Sequence, residues 1–169
     1  MAGFEQEVMS TSESGHGRCS TIEELIETVS TSLRRALVVR FGVDVGVEAH
    51  AEVVAYMCEH GDRLLAMENP AGYLFRVGQS AARRLRRWNR SFLLDSALIE
   101  PAPGFTPELR PALARMRPRH RVAVVLVHGY GFSYAEVATI VNVTEHAVRN
   151  DVHRGLADLR SKLHREDSE

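Results

Sequence analysis

In the stretch "IEELIETVSTSLRRALVVRF", apolar residues fall at Ile22, Leu25, Ile26, Val29, Leu33, Leu37 and Phe41. Steps of three and four keep them on one face of a 3.6-residue helix, so the pattern predicts an amphipathic helix ended by Gly42. Ser20 or Thr21 can start it, because Glu23 and Glu24 stand three residues later as capping-box partners. A second helix is predicted over "VEAHAEVVAYMCEH", closed by Gly61. "NPAGYLFRVGQSAARRLRRW" predicts a third. Asn69 serves as its N-cap and Pro70 takes the first helical position, where a missing N–H is not needed. Leu74, Val77, Ala81, Leu85 and Trp88 share a stripe, while Arg76, Gln79, Ser80, Arg83, Arg84 and Arg87 lie largely off it.

The periodicity fails from Asn89 to Thr106, where Pro101, Pro103 and Gly104 cluster, and this stretch reads as a linker. Residues 1–19 are rich in Ser, Glu and Gly with little to bury, which predicts a disordered acidic tail. The expected organisation is all-α: a helical domain over residues 20–90, a linker over 91–106, and a second helical domain over 107–166. The second domain opens with Thr106 and Pro107 as another N-cap and N1 pair, and "PELRPALARM" and "PRHRVAVVLVHGY" predict short helices started by prolines.

Next comes "FSYAEVATIVNVTEHAVRNDVHRGL", with two helical patterns separated by a short break. Ser133 and Glu136 form a capping box for the first, and Val137, Ile140 and Val141 supply its buried side. Ala138 is small where a partner helix must cross. Asn142 stands at the turn, being the non-glycine residue that best tolerates a left-handed backbone. Thr144 caps the second helix. There Val148, Val152, Leu156, Leu159 and Leu163 form one stripe, and His146, Arg149, Asn150, His153 and Arg154 project elsewhere. This is the pattern of a helix-turn-helix, whose second helix is free to enter a major groove. Arg pairs with guanine O6 and N7 and Asn with adenine N6 and N7, while Thr144 and the helix N-terminus can hold a phosphate.

Charge sharpens this reading. The formal net charge is -1, but six acids and one Arg precede residue 33, whereas residues 33–90 carry ten Arg against six acids. From Pro107 onward there are ten bases and eight acids. Lys162 is the only Lys, and Arg suits bidentate recognition of phosphate and guanine, although a GC-rich genome would give the same bias. Cys19 and Cys58 form no CxxC pair, which fits a reducing cytosol. His16 and Cys19 could make half a metal site with no second half. No apolar run approaches a membrane span and no signal-peptide core opens the chain, so a cytoplasmic protein is expected. No paired carboxylates at fixed spacing, nucleophile motif or phosphate loop appears; neither an enzyme nor a cofactor is expected.

The run "LARMRPRHRVAVVLVHGYGFSYAEVATIVNVTEHAVRNDVHRGLADLRSKL" resembles the C-terminal, region-4 domain of bacterial sigma factors of the sigma-70 family. The two-domain, extracytoplasmic-function type is the most similar. The resemblance implies minus-35 recognition by Thr144, His146, Arg149, Asn150, His153 and Arg154, although Asp151 stands where a base is common. "NPAGYLFRVGQSAARRLRRW" is similar to the family's helix that opens and reads the minus-10 element. That implies roles for Tyr73, Phe75, Arg76, Gln79, Ser80, Arg83, Arg84 and Arg87, with stacking on aromatic rings and a cationic track along single-stranded phosphates. Trp88 could stack or belong to the core. In the family the preceding helix grips the polymerase clamp, which implies that role for Glu48 and Glu52; the family's usual Asp and Gln are absent there. The resemblance further implies core RNA polymerase and promoter DNA as partners, with an anti-sigma protein as controller. A stand-alone helix-turn-helix regulator would share the C-terminal features, and so would a sigma mimic that titrates a partner.

Overall fold

A computed structural model describes residues 19–88 and 109–166, and regular structure among them is entirely helical. The acidic tail up to Arg18, the linker over 91–106 and the Thr106–Pro107 helix start lie outside the described residues. The first helix, α1 (Ile22–Phe41), begins at a complete capping box. Glu24 N–H donates to Thr21 Oγ1 at 3.2 Å, and the Ser20 and Thr21 N–H groups donate to Glu24 Oε2 at 2.7 and 3.4 Å. Thr21 is therefore the N-cap. The helix buries Leu25, Val29, Leu33, Ala36, Leu37, Val38 and Val39.

Gly42, at φ 92°, turns the chain directly into α2 (Val43–Glu59), which starts four residues before the predicted Val47. Low helix propensity at Gly46 hides that first turn from a propensity reading. In the fold the glycine is what lets the two helices touch, because a Cβ on Gly46 would lie 2.5 Å from Val38 Cα. Gly46→Ala is expected to destabilise the protein by at least about 1–3 kcal/mol through overpacking against backbone that cannot yield. A urea unfolding midpoint equal to wild type would refute this.

A short α3 (Gly61–Leu65), unforeseen by periodicity, leads to α4 (Pro70–Trp88). Asn69 caps α4, as its spacing predicts: Gly72 N–H donates to Asn69 Oδ1 at 2.9 Å. The buried face of α4 is rotated from the predicted stripe. It consists of Ala71, Gly72, Leu74, Phe75, Gly78, Ala81 and Ala82, whereas Val77 and Leu85 are half-buried. Small residues permit close contact with α1 and α2; a Cβ on Gly78 would meet Leu37 Cδ1 at 2.7 Å. The Trp88 side chain lies outside the described residues.

The C-terminal half contains α5 (Leu109–Ala114), α6 (Pro118–Val124), α7 (Tyr134–Val141) and α8 (Glu145–Glu166). The predicted helix over 118–130 ends in a π-helical turn, Val125–Gly129, which places Phe132 N–H on Leu126 O at 3.0 Å. The halves do not stand apart. α1 packs on α6, α4 packs on α7, and one continuous apolar cluster runs from Leu25 to Val152.

Candidate nucleic-acid interface

The local chemistry of α7 and α8 follows the sequence closely. Ser133 and Glu136 exchange both capping-box bonds, with Glu136 N–H to Ser133 Oγ at 3.2 Å and Ser133 N–H to Glu136 Oε2 at 2.7 Å. Asn142 ends α7 in the left-handed conformation at φ 55°, and Val143 N–H reaches back to Ala138 O at 3.0 Å. Thr144 Oγ1 accepts from Ala147 N–H at 3.2 Å to start α8. Val137, Ala138 and Ile140 of α7 are buried, as are Val148, Val152 and Gly155 of α8. A Cβ on Gly155 would lie 2.6 Å from Val124 Cγ2, so α8 is seated hard against α6. Leu156, Leu159 and Leu163 are half-buried.

With that seam inward, Thr144, His146, Arg149, Asn150, His153 and Arg154 are all exposed. Arg149 is oriented by two neighbours. Its Nε and Nη2 donate to Glu145 Oε1 at 3.2 and 2.5 Å, and its guanidinium lies 4.7 Å from the Tyr134 ring centroid. Glu145 was legible as an i,i+4 partner, but Tyr134 belongs to the other helix and no spacing along α8 points to it.

Asp151, at the family's usual basic position, does not face outward with this set. It is half-buried and pairs with Arg119 at 2.8 Å, clamping α8 onto α6. Beside it, His120 is 6% exposed; its Nε2 makes no hydrogen bond among the described residues and lies 3.7 Å from Asp151 Oδ1. Burial pushes the His120 pKa below its ordinary 6.5, Arg119 and Arg117 push the same way, and Asp151 and Asp158 oppose them. The unfolded chain therefore takes up this proton first as pH falls. His120 stabilises fully above about pH 6.5, and that contribution is lost as pH drops toward its folded pKa. His50, also shifted down by burial, acts in the same direction. Unfolding midpoints should decline between neutral and mildly acidic pH, and His120→Gln should flatten the decline. An unchanged slope in that variant would refute the assignment.

The minus-10 candidates on α4 divide. Arg76, Ser80, Arg83, Arg84 and Arg87 are exposed, and Tyr73 and Gln79 are half-buried. Phe75 departs from expectation: it is 2% exposed inside the apolar cluster, so its ring has no face to offer a base in this arrangement. The Tyr73 hydroxyl lies 2.8 Å from that of Tyr56 on α2, and Arg63 sits 5.8 Å from its ring centroid. Arg84 forms an ion pair with Glu52, joining a candidate DNA contact to a candidate polymerase contact across α4 and α2. Glu48 is exposed beside Val47, Ala51, Ala55, Cys58 and Glu59 on the open face of α2.

Between the halves lies a cleft of about 410 Å³, bordered by Arg40, Phe75 and Gln79 on one side and by Arg119, Asn150 and Arg154 on the other. It brings together two candidate minus-10 residues, Phe75 and Gln79, and two candidate minus-35 residues, Asn150 and Arg154. Arg40 and Arg119 were not singled out from the sequence, because only tertiary packing brings them to this place. Among the described residues no group of three or more His, Cys, Asp or Glu could hold a metal ion, and no helix is long and apolar enough to cross a membrane.

Residues 108–159 match the family model for sigma-70, region 4. Over those residues the chain is similar to sigma-70 region 4. The fold extends the likeness to most of the chain. The sigma factor RpoE, solved in complex with the anti-sigma factor NepR from Bartonella quintana, superposes with a TM-score of 0.58 at 20% identity. That match covers 83% of this chain and 95% of the other. The region 4 match lies in one half, and the likeness of fold runs through both.

Proposed function

We propose that the chain binds core RNA polymerase and directs promoter-specific initiation, reading a minus-35 element with α8 and a minus-10 element with α4. The observation that carries this is the α7–α8 pair: a capping box on α7, the Thr144 cap on α8, a left-handed Asn142 and a buried seam leave Arg149, Asn150, His153 and Arg154 outward at the start of α8. Arg149 and Asn150 read base edges; Thr144 and the helix N-terminus hold phosphate. Residues 20–90 and 107–166 act as two domains joined by 91–106. On α4, Tyr73, Gln79 and Ser80 meet unstacked bases, while Arg76, Arg83, Arg84 and Arg87 follow the phosphates. The open face of α2, with Glu48 and the Arg84-paired Glu52, meets polymerase. The protein works in the cytoplasm, and an anti-sigma protein is a fitting controller because the solved RpoE carries one.

Run-off transcription with core polymerase and a promoter library tests this. Discrete, promoter-dependent transcripts are expected with core polymerase plus protein and not with core alone. Sequence-specific DNA binding without any transcripts would give instead a stand-alone helix-turn-helix regulator.

A further inference from the structure

We propose that Glu145 is a second base-reading residue of α8. Beside the guanine met by Arg149, it selects a neighbouring base pair whose major-groove amino group, cytosine N4 or adenine N6, lies on the strand that faces its carboxylate. The inference rests on the reading of α8 as the duplex reader and adds to it a rule for which sequences α8 accepts.

Glu145 and Arg149 stand one turn apart at the start of α8, with 45% and 60% of their side-chain surface exposed, so both can meet a ligand. Arg149 Nε and Nη2 donate to the same carboxylate oxygen, Glu145 Oε1, at 3.2 and 2.5 Å. Among the described residues no donor reaches the other oxygen, Oε2. Tyr134 of α7 holds the guanidinium from a second side, with its ring centroid 4.7 Å away. The carboxylate is thereby fixed beside the arginine rather than left to swing in solvent.

The chemistry of a carboxylate makes this pairing selective. An ionised Glu only accepts hydrogen bonds. In the major groove, cytosine N4 and adenine N6 donate, whereas guanine O6 and N7 and thymine O4 accept. When guanine takes over the guanidinium donors, Glu145 loses its partner and needs a new donor at the same place. Base edges stack about 3.4 Å apart, so the neighbouring pair lies within reach of a group already touching Arg149. An amino group there restores the bond. A keto oxygen there sets acceptor against acceptor and leaves a charge unpaired, which costs more than a missing bond. Glu145 thus acts by rejecting wrong sequences as much as by holding the right one.

The same acid suppresses indiscriminate binding. It repels phosphates and engages two donors that Arg149 would otherwise offer them. A Glu in the first turn also suits the positive end of a helix dipole. That role alone would leave base preference untouched, which separates it from the proposal.

Selection of a random duplex pool by the full chain with core RNA polymerase, followed by competition titrations, tests this. The parent should enrich a guanine whose preference disappears in Arg149→Ala. At a neighbouring position on one strand it should favour cytosine or adenine over thymine or guanine by roughly 5-fold or more, the lower end of the cost of one mismatched base pair. Glu145→Ala should flatten that position, keep the guanine, and bind random duplex more tightly. Glu145→Gln should admit thymine and guanine there, because an amide donates as well as accepts. A neighbouring position that shows no amino preference in the parent, or keeps it unchanged in both Glu145 variants, overturns the proposal and leaves α8 standing as the reader. A pool that enriches nothing, or enriches the same sequences with Arg149→Ala, overturns the reading of α8 and this inference with it.

Discussion

Replacing Arg149 by Ala should remove about 1–3 kcal/mol of discrimination between promoter and random duplex, the scale of one bidentate base contact. Affinity for random DNA should fall by much less, because phosphate contacts supply most of that binding and Arg154, His153 and the capped start of α8 remain. The expectation rests on how the guanidinium is held. Stacking on Tyr134 and two bonds to Glu145 restrict a side chain that would otherwise lose rotamer freedom on binding, and guanine can replace the carboxylate as acceptor. Competition titrations of a duplex enriched from a random pool against the unselected pool measure the difference. Equal losses on both would mean that Arg149 touches only the backbone.

Phe75→Ala should cost about 3–5 kcal/mol of folding stability, as for a large aromatic removed from a packed interior. Phe75 is among the largest fully buried side chains and borders the interdomain cleft. A stacking ring on the surface would behave in the opposite way, with unchanged unfolding and weaker single-strand binding. Denaturant unfolding beside single-strand titration separates the two. Near-wild-type stability would return Phe75 to the minus-10 surface and show that the packing of α4 described above is wrong.

Phe75 also marks where sequence reading stopped. Its ring follows Tyr73 on a helix with an Arg-rich end, and by composition alone the two aromatics look equivalent. Only the rotation of α4 against α1 and α2 separates them, and that rotation follows from Ala71, Gly72, Gly78, Ala81 and Ala82, small residues that a hydrophobic count ranks low. The start of α2 was hidden for the same reason. Gly46 reads as a weak helix former but is the point at which two helices come closest. Asp151 gave the converse problem. It looked like an unfavourable charge near DNA and instead pairs inward with Arg119.

What the sequence determined by itself was local. Capping boxes, the proline and asparagine helix starts, the left-handed turn at Asn142 and the seam of α8 are each settled within a few residues, because backbone hydrogen bonding and side-chain periodicity act over one or two turns. The outward set from Thr144 to Arg154 follows from that periodicity. The tertiary structure alone decided which residues meet across elements: Arg121 on the end of α1, Asn69 on the turn before α8, Tyr134 beneath Arg149, and Gln79 opposite Asn150. Such contacts depend on how helices distant in the chain rotate and approach, and that is set by the summed packing of many side chains, which no local pattern encodes.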